Sequence, residues 1–425
     1  MKRMTRIVPL VAVAALALTA CSGGGGGAAD DASGEVTGTV KFQSWSLKNE
    51  KFTPYFEELF AAFEKENPGV KVEWLDQPGD GYQDKVLSQA NSGSLPDVVN
   101  LPPDIAYPLA QAGALLDVDG ADPELKSTFV PGAWEAYSYP GLDGTFGMPW
   151  YLGTDLSWWN GAALTANGAD TSALPTTTEE LIALAEQVGQ TSGGRMPVLS
   201  TMPTIDVFSS AGIDIMNKDG EFVFNTDEAA KIVDQYRAAF EAGGIPQEAL
   251  TGDYGGNADM FKQGKVAYTT ATSVFAGDLE RDAPSIRESV IATPRIGDAP
   301  LFVQGVSVAA DSKNKAAAVA FAAFLTNTEN QVAFCKLALG FMPGTIDGSA
   351  DTSALSEGVT DQLQLDAMAI VSESMESARI LTPFQWTNAM KVYMDQQMAL
   401  SLKGELPAKE ALDKIVAYAN DNRID

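Results

Sequence analysis

Apolar and polar residues near the start of the chain follow two alternating patterns. The runs 40–45, 70–75 and 98–101 are short apolar segments bounded by turn residues, which is typical of strands. Between them, segment 56–63 has apolar residues spaced by three, four and seven, and segment 82–90 has a similar helical pattern. The order strand, helix, strand, helix, strand predicts an α/β fold with a parallel or mixed sheet covered by helices.

The apolar run 98–101 predicts a strand that is buried on both faces. Pro102 and Pro103 follow it, and because proline cannot donate a ladder hydrogen bond, the chain must leave the sheet there. Ligands of open α/β sheets bind beyond the carboxyl ends of the strands. Asp104 stands at that place and is a candidate ligand-binding residue. It also suits the N-cap of a helix starting at Ile105, and the two roles are compatible.

The N-terminal segment has the features of a secretory signal. Three basic residues precede the apolar run 7–18, which is shorter than the roughly 20 residues that a membrane span needs. The sequence Leu-Thr-Ala-Cys, ending at Cys21, resembles a bacterial lipobox, so we expect residues 1–20 to be removed and Cys21 to be lipidated. Residues 22–34 contain only Gly, Ala, Ser and Asp, and we expect 21–38 to be a flexible tether.

Charge and length exclude some partners. Without residues 1–20, which carry three basic residues and no acidic one, 25 Lys and Arg remain against 56 Asp and Glu, a net charge of −31. Such a surface repels nucleic acid and anionic lipid headgroups.

The remaining length of about 390 residues is too great for one compact core and predicts two domains. Once Cys21 is lipidated, Cys335 has no second cysteine to pair with, and we expect it to be a buried thiol.

The residue inventory leaves little room for catalysis. The chain has no histidine, which excludes Ser-His-Asp and Cys-His catalytic sites and most zinc sites. It also lacks a phosphate-binding glycine motif of either common type, so neither a nucleotide nor any other cofactor or metal is predicted. Carboxylates, or a metal held by oxygen ligands, remain as possible catalytic groups, but in so acidic a chain most carboxylates are expected to be solvated surface.

Several motifs occur in a characteristic order. They are "SG-x-LPDVV" and "A-x-AGALLDVD" within 91–119, a Pro-containing strand ending at Trp159-Asn160, and the segments 261–268, 301–310 and 404–412. Together they resemble the bacterial extracellular solute-binding proteins of family 1, the maltose-binding type, which serve ABC importers. The resemblance runs from about Thr39 to the C-terminus.

The resemblance implies a two-lobed periplasmic-binding-protein-like fold of type II. Each lobe would hold a mixed, mostly parallel sheet flanked by helices, with the ligand cleft between the lobes. We expect 39–150 with 302–350 to form the N-terminal lobe (N lobe) and 151–301 with 351–425 the C-terminal lobe (C lobe). The implied function is capture of a carbohydrate, an oligosaccharide, by hinge closure and delivery to a membrane permease. The chain would be a non-enzymatic monomer, held at the outside of the cell membrane by its lipid.

Aromatic and acidic residues near the predicted strand ends suggest where the sugar binds. A sugar ring offers apolar C–H faces and hydroxyl edges, which suit flat aromatic rings and carboxylates. Filling a core is the alternative for any single aromatic, and it is favoured for Trp74 and for at least one of Trp158 and Trp159. The expected ligand-binding set is Trp45, Ser46, Asp104, Trp150, Tyr151, Asp155, Phe275, Gly305 and Trp386.

The resemblance supports some of these residues by position. Asp104 falls where the family has an aspartate on sugar hydroxyls, and Gly305 where a glycine is common. A sugar-contacting glutamate of the family aligns with Gly153, so Asp155, two residues on, is expected to substitute for it. The family's cleft tryptophan aligns with Lys391, and Trp386 is expected to enter the cleft instead.

Other ligands and one other function stay open. A polyol or a polyamine would suit the same fold, the polyamine because of the acidic surplus and the aromatic residues. A phosphorylated sugar would need arginine or lysine at the cleft, and we expect none of the seven arginines after Cys21 to lie beside a strand end. A glycosidase could use Asp104 and Asp155 as its carboxylate pair.

Overall fold

The computed structural model describes residues 34–251, 257–350 and 352–423. The signal segment, Cys21 and the first part of the tether lie outside the described residues, so the predictions for them stay predictions. Across those ranges, helices surround two separate sheets. No helix in the described part of the chain is long and apolar enough to span a membrane.

The first part of the chain forms alternating strands and helices, as the sequence predicts. The elements are β1 (Gly38–Trp45), α1 (Thr53–Glu66), β2 (Val70–Gln77), α2 (Tyr82–Asn91), β3 (Val98–Leu101), α3 (Pro103–Gln111), α4 (Val118–Ala121) and α5 (Pro131–Glu135). The predicted bounds of β3 are confirmed. The predicted N-cap role of Asp104 is wrong, because α3 begins at Pro103 and Pro102 is the N-cap residue.

The middle of the chain forms the second sheet and most of its helices. The elements are β4 (Met148–Gly153), β5 (Leu156–Asn160), α6 (Gly161–Ala166), α7 (Thr178–Ser192), α8 (Ile205–Ser210), α9 (Asp227–Glu241), α10 (Asn257–Lys262), β6 (Tyr268–Ala271), α11 (Phe275–Asp282), α12 (Pro284–Arg287) and β7 (Val290–Thr293). Thr177 and Glu180 form a reciprocal capping box at the start of α7, and Thr226 caps α9.

The last part of the chain returns to the first sheet and then adds helices to both lobes. The elements are β8 (Phe302–Val308), α13 (Lys315–Leu325), α14 (Thr328–Ala338), β9 (Met342–Pro343), α15 (Ile346–Ala350), α16 (Thr352–Leu355), α17 (Gln362–Met375), α18 (Asn388–Leu402) and α19 (Ala408–Asp421). Helices α18 and α19 pack on α9 of the C lobe, whereas α16 packs on α14.

The two sheets have the orders β2-β1-β3-β8-β4-β9 and β6-β5-β7. In the first sheet β1 pairs in parallel with β2 and β3, but β8 is antiparallel to both β3 and β4. All pairs of the second sheet are antiparallel. The α/β class is confirmed, but the expected mostly parallel pairing in each lobe is wrong. The chain passes between the sheets and returns, and returning strands lie antiparallel to their neighbours.

Three segments of the chain lie at the junction between the two sheets and are called crossings below. The first crossing is Thr154-Asp155, between β4 and β5, so β4 continues three residues past the predicted boundary at 150. The second runs from Pro294 to Leu301, between β7 and β8. The third, 376–387, joins α17, which packs on β5 and β7, to α18, which packs on α9, so it runs along the junction without connecting the two sheets. The second and third are joined by hydrogen bonds from Leu301 N to Arg379 O, 2.8 Å, and from Arg379 N to Ala299 O, 3.0 Å.

Gly305 lies on β8, opposite Leu101 of β3 and Pro149 of β4. A Cβ atom at this position would lie 2.4 Å from the Tyr137 hydroxyl oxygen and 2.5 Å from the Met148 carbonyl oxygen. Both distances are far below van der Waals contact, so only glycine allows β8 to approach these neighbours. The predicted ligand contact of Gly305 is not supported, because sheet packing occupies the space around it.

We expect Gly305→Ala to lower the free energy of unfolding by about 1–3 kcal/mol, the range typical of overpacking a filled core. Urea denaturation followed by tryptophan fluorescence measures this. Gly277→Ala is the matched control, because a Cβ at Gly277 in α11 meets no atom within 4 Å. We expect the control to be neutral or slightly stabilising. An unchanged unfolding midpoint for Gly305→Ala would contradict the packing account.

Candidate ligand-binding cleft

A cavity of about 520 Å³ lies between the two lobes. Its lining comes from the turn after β3, from all three crossings and from α8. The residues that line it include Asp104, Asp155, Asp206, Arg295, Phe384 and Trp386. The carboxyl ends of β3 and β4 and the beginning of β8 meet at one edge of the first sheet, and the cavity lies along that edge. This cavity is called the cleft below.

Asp104 is placed by the proline turn that follows β3. The Tyr137 hydroxyl donates a hydrogen bond to the Leu101 carbonyl, 2.6 Å, and the Tyr139 hydroxyl donates one to the Pro103 carbonyl, 2.8 Å. These two tyrosines hold the segment where the chain leaves the sheet. The side chain of Asp104 is open to the cleft, but protein surrounds it on most sides, and this desolvation raises the pKa of its carboxyl group. Hydrogen bonds from the backbone amides of Asp104 and Ile105 oppose the rise.

Asp155 forms a charge cluster with two residues of other segments. It lies on the first crossing, Arg295 follows β7 on the second crossing, and Asp206 is in the first turn of α8. Arg295 Nη2 and Asp206 Oδ2 are 3.2 Å apart. Desolvation raises the pKa of Asp155 to about 6, with the Asp206 charge adding to the rise and the Arg295 charge opposing it. One cation therefore compensates two carboxylates at the hinge.

Trp386 supplies an aromatic surface on the third crossing. Its backbone amide donates to the Pro383 carbonyl, 3.0 Å, which closes a turn just before α18. Its half-buried ring packs edge-on against Phe222 and Phe224, with centroid distances of 5.5 and 5.8 Å. On the N-lobe side, Phe384 packs against Tyr139 at 5.4 Å. The third crossing thus presents one ring anchored to each lobe.

A second cavity, of about 380 Å³, opens from the cleft into the C lobe and is called the side pocket below. Its walls come from α7, α8, β6, α18 and the segment 199–204. Asp206, Arg295, Thr382 and Trp386 line both cavities and therefore form their common boundary. Lys391 also lines the side pocket, so the position that aligns with the family's tryptophan lies at a cavity that adjoins the cleft.

Three of the predicted ligand-binding residues line the cleft: Asp104, Asp155 and Trp386. Asp206 and Arg295 also line the cleft but were not predicted from the sequence. The expectation that no arginine lies beside a strand end is wrong, because Arg295 stands two residues after β7. The Pro294-Arg295 pair after that apolar run was the signal in the sequence that could have identified it.

Other predicted residues lie in packed interiors. Trp150 has no exposed surface and packs against Phe334, with ring centroids 4.7 Å apart. Tyr151 packs on the same phenylalanine at 5.1 Å and lines neither the cleft nor the side pocket. Phe275 is buried against Trp158 at 5.4 Å. The expectation that these rings face a ligand is not supported, and we leave them out of the proposed site.

Trp45 and Ser46 lie at the end of β1, on the edge of the sheet that faces the lobes' junction. Trp45 is half-buried and stacks on Tyr82 at 5.6 Å, and the Ser46 hydroxyl accepts a hydrogen bond from the Gly79 amide at 3.1 Å. Neither residue lines the cleft or the side pocket as the structure stands. Their contact with a ligand stays a prediction.

In the described ranges no cluster of three or more acidic or cysteine side chains is arranged to hold a metal ion.

Comparison with known protein families gives a match over residues 49–332 to the family described as bacterial extracellular solute-binding protein. The chain belongs to this family. The resemblance stated from the sequence motifs is therefore confirmed. Members of the family bind solutes rather than transform them, which agrees with the expectation of a non-enzymatic protein.

Individual relatives extend the comparison. A candidate binding protein of Brucella abortus (strain 2308) is 27% identical over 273 residues, which cover 62% of this chain and 64% of that protein. An uncharacterized lipoprotein of Streptomyces antibioticus is 26% identical over 368 residues, covering 79% of this chain and 75% of the relative. The match to the Brucella protein thus spans less than two thirds of its length.

Solved structures share the fold. A candidate oligosaccharide periplasmic-binding protein from Synechococcus sp. MITs9220 has a TM-score of 0.79 at 23% identity, covering 90% of this chain and 98% of the other. The GacH receptor of Streptomyces glaucescens, solved unliganded and with acarbose, has a TM-score of 0.71 at 21% identity, covering 91% and 99%. At these identities the likeness shows the fold, and the expected two-lobed architecture is confirmed.

The pKa of Asp155 predicts a specific dependence of stability on pH. Folding raises this pKa from 3.8 to about 6, so between these values the native state binds the proton more tightly than the unfolded chain. Stability must then fall as pH rises through this window. We expect Asp155→Asn to remove that fall, so the variant should gain up to about 3 kcal/mol on the wild type between about pH 4 and about pH 7.5.

Urea unfolding of both proteins at the two pH values measures this difference. Asp311→Asn, on an exposed turn away from the cleft, is the matched control and should keep the pH dependence of the wild type. A stability difference between Asp155→Asn and the wild type that does not change with pH would show that Asp155 ionises as freely when folded as when unfolded.

Proposed function

We propose that this chain is the substrate-binding protein of an ABC importer and captures a carbohydrate, an oligosaccharide, by closure of its lobes over the cleft. The observation that carries the proposal is the convergence of Asp104, Asp155 and Trp386 at the cleft. Trp386 offers a flat apolar face for a sugar ring, and the two carboxylates accept hydrogen bonds from hydroxyl groups. Asp104 belongs to the N lobe and Trp386 to the third crossing, so a bound ring would join both lobes.

Similar proteins support this ligand class. One of the neighbouring structures is that of a candidate oligosaccharide-binding protein, and another is that of a receptor in complex with acarbose. Another neighbour, from Arthrobacter globiformis, is described as a cyclic alpha-maltosyl-1,6-maltose binding protein, with a TM-score of 0.70. In the proposed mechanism the ligand shifts the population toward a closed form, and a membrane permease recognises that form. No covalent step is part of it.

A polyamine is the second candidate ligand, and the charges of the cleft favour it. Three aspartates line the cleft: Asp104, Asp155 and Asp206. Among the described residues that line it, Arg295 is the one that carries a positive charge. This surplus of carboxylates would attract a cationic ligand, and it disfavours phosphorylated or carboxylated sugars, which would add like charge to the site. A glycosidase that uses Asp104 and Asp155 is the alternative that involves catalysis.

We expect protein beginning at Ser22 to show a saturable change in tryptophan fluorescence with one class of sugars and none with spermidine. Trp386→Ala and Asp104→Asn should each weaken binding by about tenfold or more, because each removes a face or an acceptor that the ligand needs. Asp311→Asn is the matched control for charge and should bind as the wild type does. Fluorescence or calorimetric titration gives the affinities.

The same titrations separate the alternatives. A response to spermidine alone would replace the sugar proposal with the polyamine one. Shortened sugars recovered after incubation with the protein would contradict the non-enzymatic proposal and favour a glycosidase. No response to sugars or spermidine would overturn the proposed ligand class and leave the family membership standing.

We also propose that Cys21 carries the lipid that holds the protein at the outer face of the cell membrane. The sequence before Cys21 supports this, and the similarity to a Streptomyces lipoprotein agrees with it. In cells, Cys21→Ala should abolish incorporation of labelled fatty acid and move the protein from the membrane fraction to the soluble fraction. Cys335→Ala is the control, since that thiol is buried, and it should leave both results unchanged. Labelling that survives Cys21→Ala would contradict the assignment.

A further inference from the structure

The side pocket is lined by the C lobe and by the second and third crossings, and no residue of the N lobe is among its described lining. Its inner wall is formed by buried residues of four separate elements, including Leu181 of α7, Tyr236 of α9, Tyr268 of β6 and Met394 of α18. Hinge closure moves one lobe against the other, so a wall that belongs to one lobe keeps its arrangement in both states. The volume of the side pocket is about 380 Å³. These features indicate a preformed compartment.

Four residues form the boundary between the two cavities. Trp386 contributes its ring, Thr382 a hydroxyl group, and Arg295 and Asp206 an ion pair. A ligand longer than one ring that lies on Trp386 in the cleft therefore meets the entrance of the side pocket. The two cavities form one continuous site with two compartments.

The side pocket combines apolar faces with free hydroxyl groups. Tyr268 and Met394 present apolar surface, and Thr201 and Thr270 line the pocket as half-buried residues. The hydroxyl groups of these two threonines have no hydrogen-bond partner in the described ranges of the chain. A half-buried hydroxyl group on a pocket wall can donate a hydrogen bond to a bound molecule or accept one from it. The same mixture of apolar face and polar edge suits a sugar ring.

The charges of the side pocket differ from those of the cleft. Arg295 stands beside Asp206 at 3.2 Å, and the Lys391 charge acts on Asp395 one helical turn further along α18. The side pocket is thus lined by two carboxylates and two cations. Asp104, in the cleft, has no such cation among the groups that set its pKa. The side pocket therefore suits a neutral group, because neither sign of charge is in excess there.

We infer that the side pocket is a specificity subsite that holds one neutral, hydroxyl-bearing ring at the end of the ligand, while the next ring lies on Trp386 in the cleft. This inference rests on the proposed carbohydrate function and adds the minimum length of the ligand and the position of its terminal ring. The preformed pocket selects the terminal ring, and closure of the cleft acts on the rest of the ligand.

The test titrates protein beginning at Ser22 with glucose, galactose, mannose and xylose and with disaccharides and trisaccharides built from each. For the sugar that binds, we expect the longer forms to bind about tenfold or more tightly than the single ring. Thr270→Phe, which fills the side pocket, should abolish that preference. Asp104→Asn should weaken the single ring and the longer forms by a similar factor, because Asp104 belongs to the cleft.

Two further variants guard against misfolding. Thr270→Val removes only the hydroxyl group and should reduce the length preference in part, with an unfolding midpoint close to that of the wild type. Thr165→Phe places the same bulk on the exposed face of α6 and should leave the preference unchanged. If Thr270→Phe and Thr270→Val keep the preference of the wild type for longer sugars, the subsite is overturned. The proposed carbohydrate function would still stand. Equal binding of one, two and three rings by the wild type would also overturn it. Binding of none of these sugars would overturn the proposed function and the subsite together.

Discussion

The antiparallel insertion of β8 between β3 and β4 is the contact on which the cleft depends. It brings Leu101 opposite Gly305 and Gly153 opposite Phe302, so the ends of β3 and β4 meet the beginning of β8 at one edge of the sheet. Asp104 and Asp155 follow those two strand ends, and the second crossing arrives beside them. A shift of β8 by one residue would reverse which face each of its side chains occupies and would put side chains where Gly305 now allows close packing.

The crossings are connected to each other, which affects how the lobes can move. The second and third crossings share backbone hydrogen bonds through Arg379, and the Arg379 side chain donates to the Ser209 carbonyl of α8 at 3.0 Å. Asp206, on the same helix, pairs with Arg295 of the second crossing. Because α8 is attached to both segments, it must move with them. In the proposed closure, α8 would therefore be carried together with the second and third crossings.

The sequence predicted the local part of this site and missed the part that depends on distant contacts. The bounds of β3 and the position of Asp104 follow from an apolar run and two prolines, which act within a few residues. Trp150 has the same kind of neighbours, but its environment is set by Phe334, far along the chain, and by a register shift in β4 between Pro149 and Tyr151. Because the register shift changes which side chains of β4 face the core, the alternation of apolar and polar residues cannot show on which face Trp150 lies. Arg295 and Asp206 are 89 residues apart in sequence, and no local pattern joins them.

The raised pKa values at the cleft have a consequence for binding. Asp155 is half-buried with a pKa of about 6, so near neutral pH the unliganded protein holds an ionised carboxylate that has lost much of its hydration. A sugar hydroxyl that donates to this carboxylate replaces the lost water and favours the charged form. Ligand binding should then lower the pKa of Asp155, and by linkage a lower pKa in the complex requires tighter binding as pH rises through that pKa. Desolvation of Asp155 thus lowers the folding stability of the unliganded protein, and it favours binding of a ligand that donates a hydrogen bond to this carboxylate.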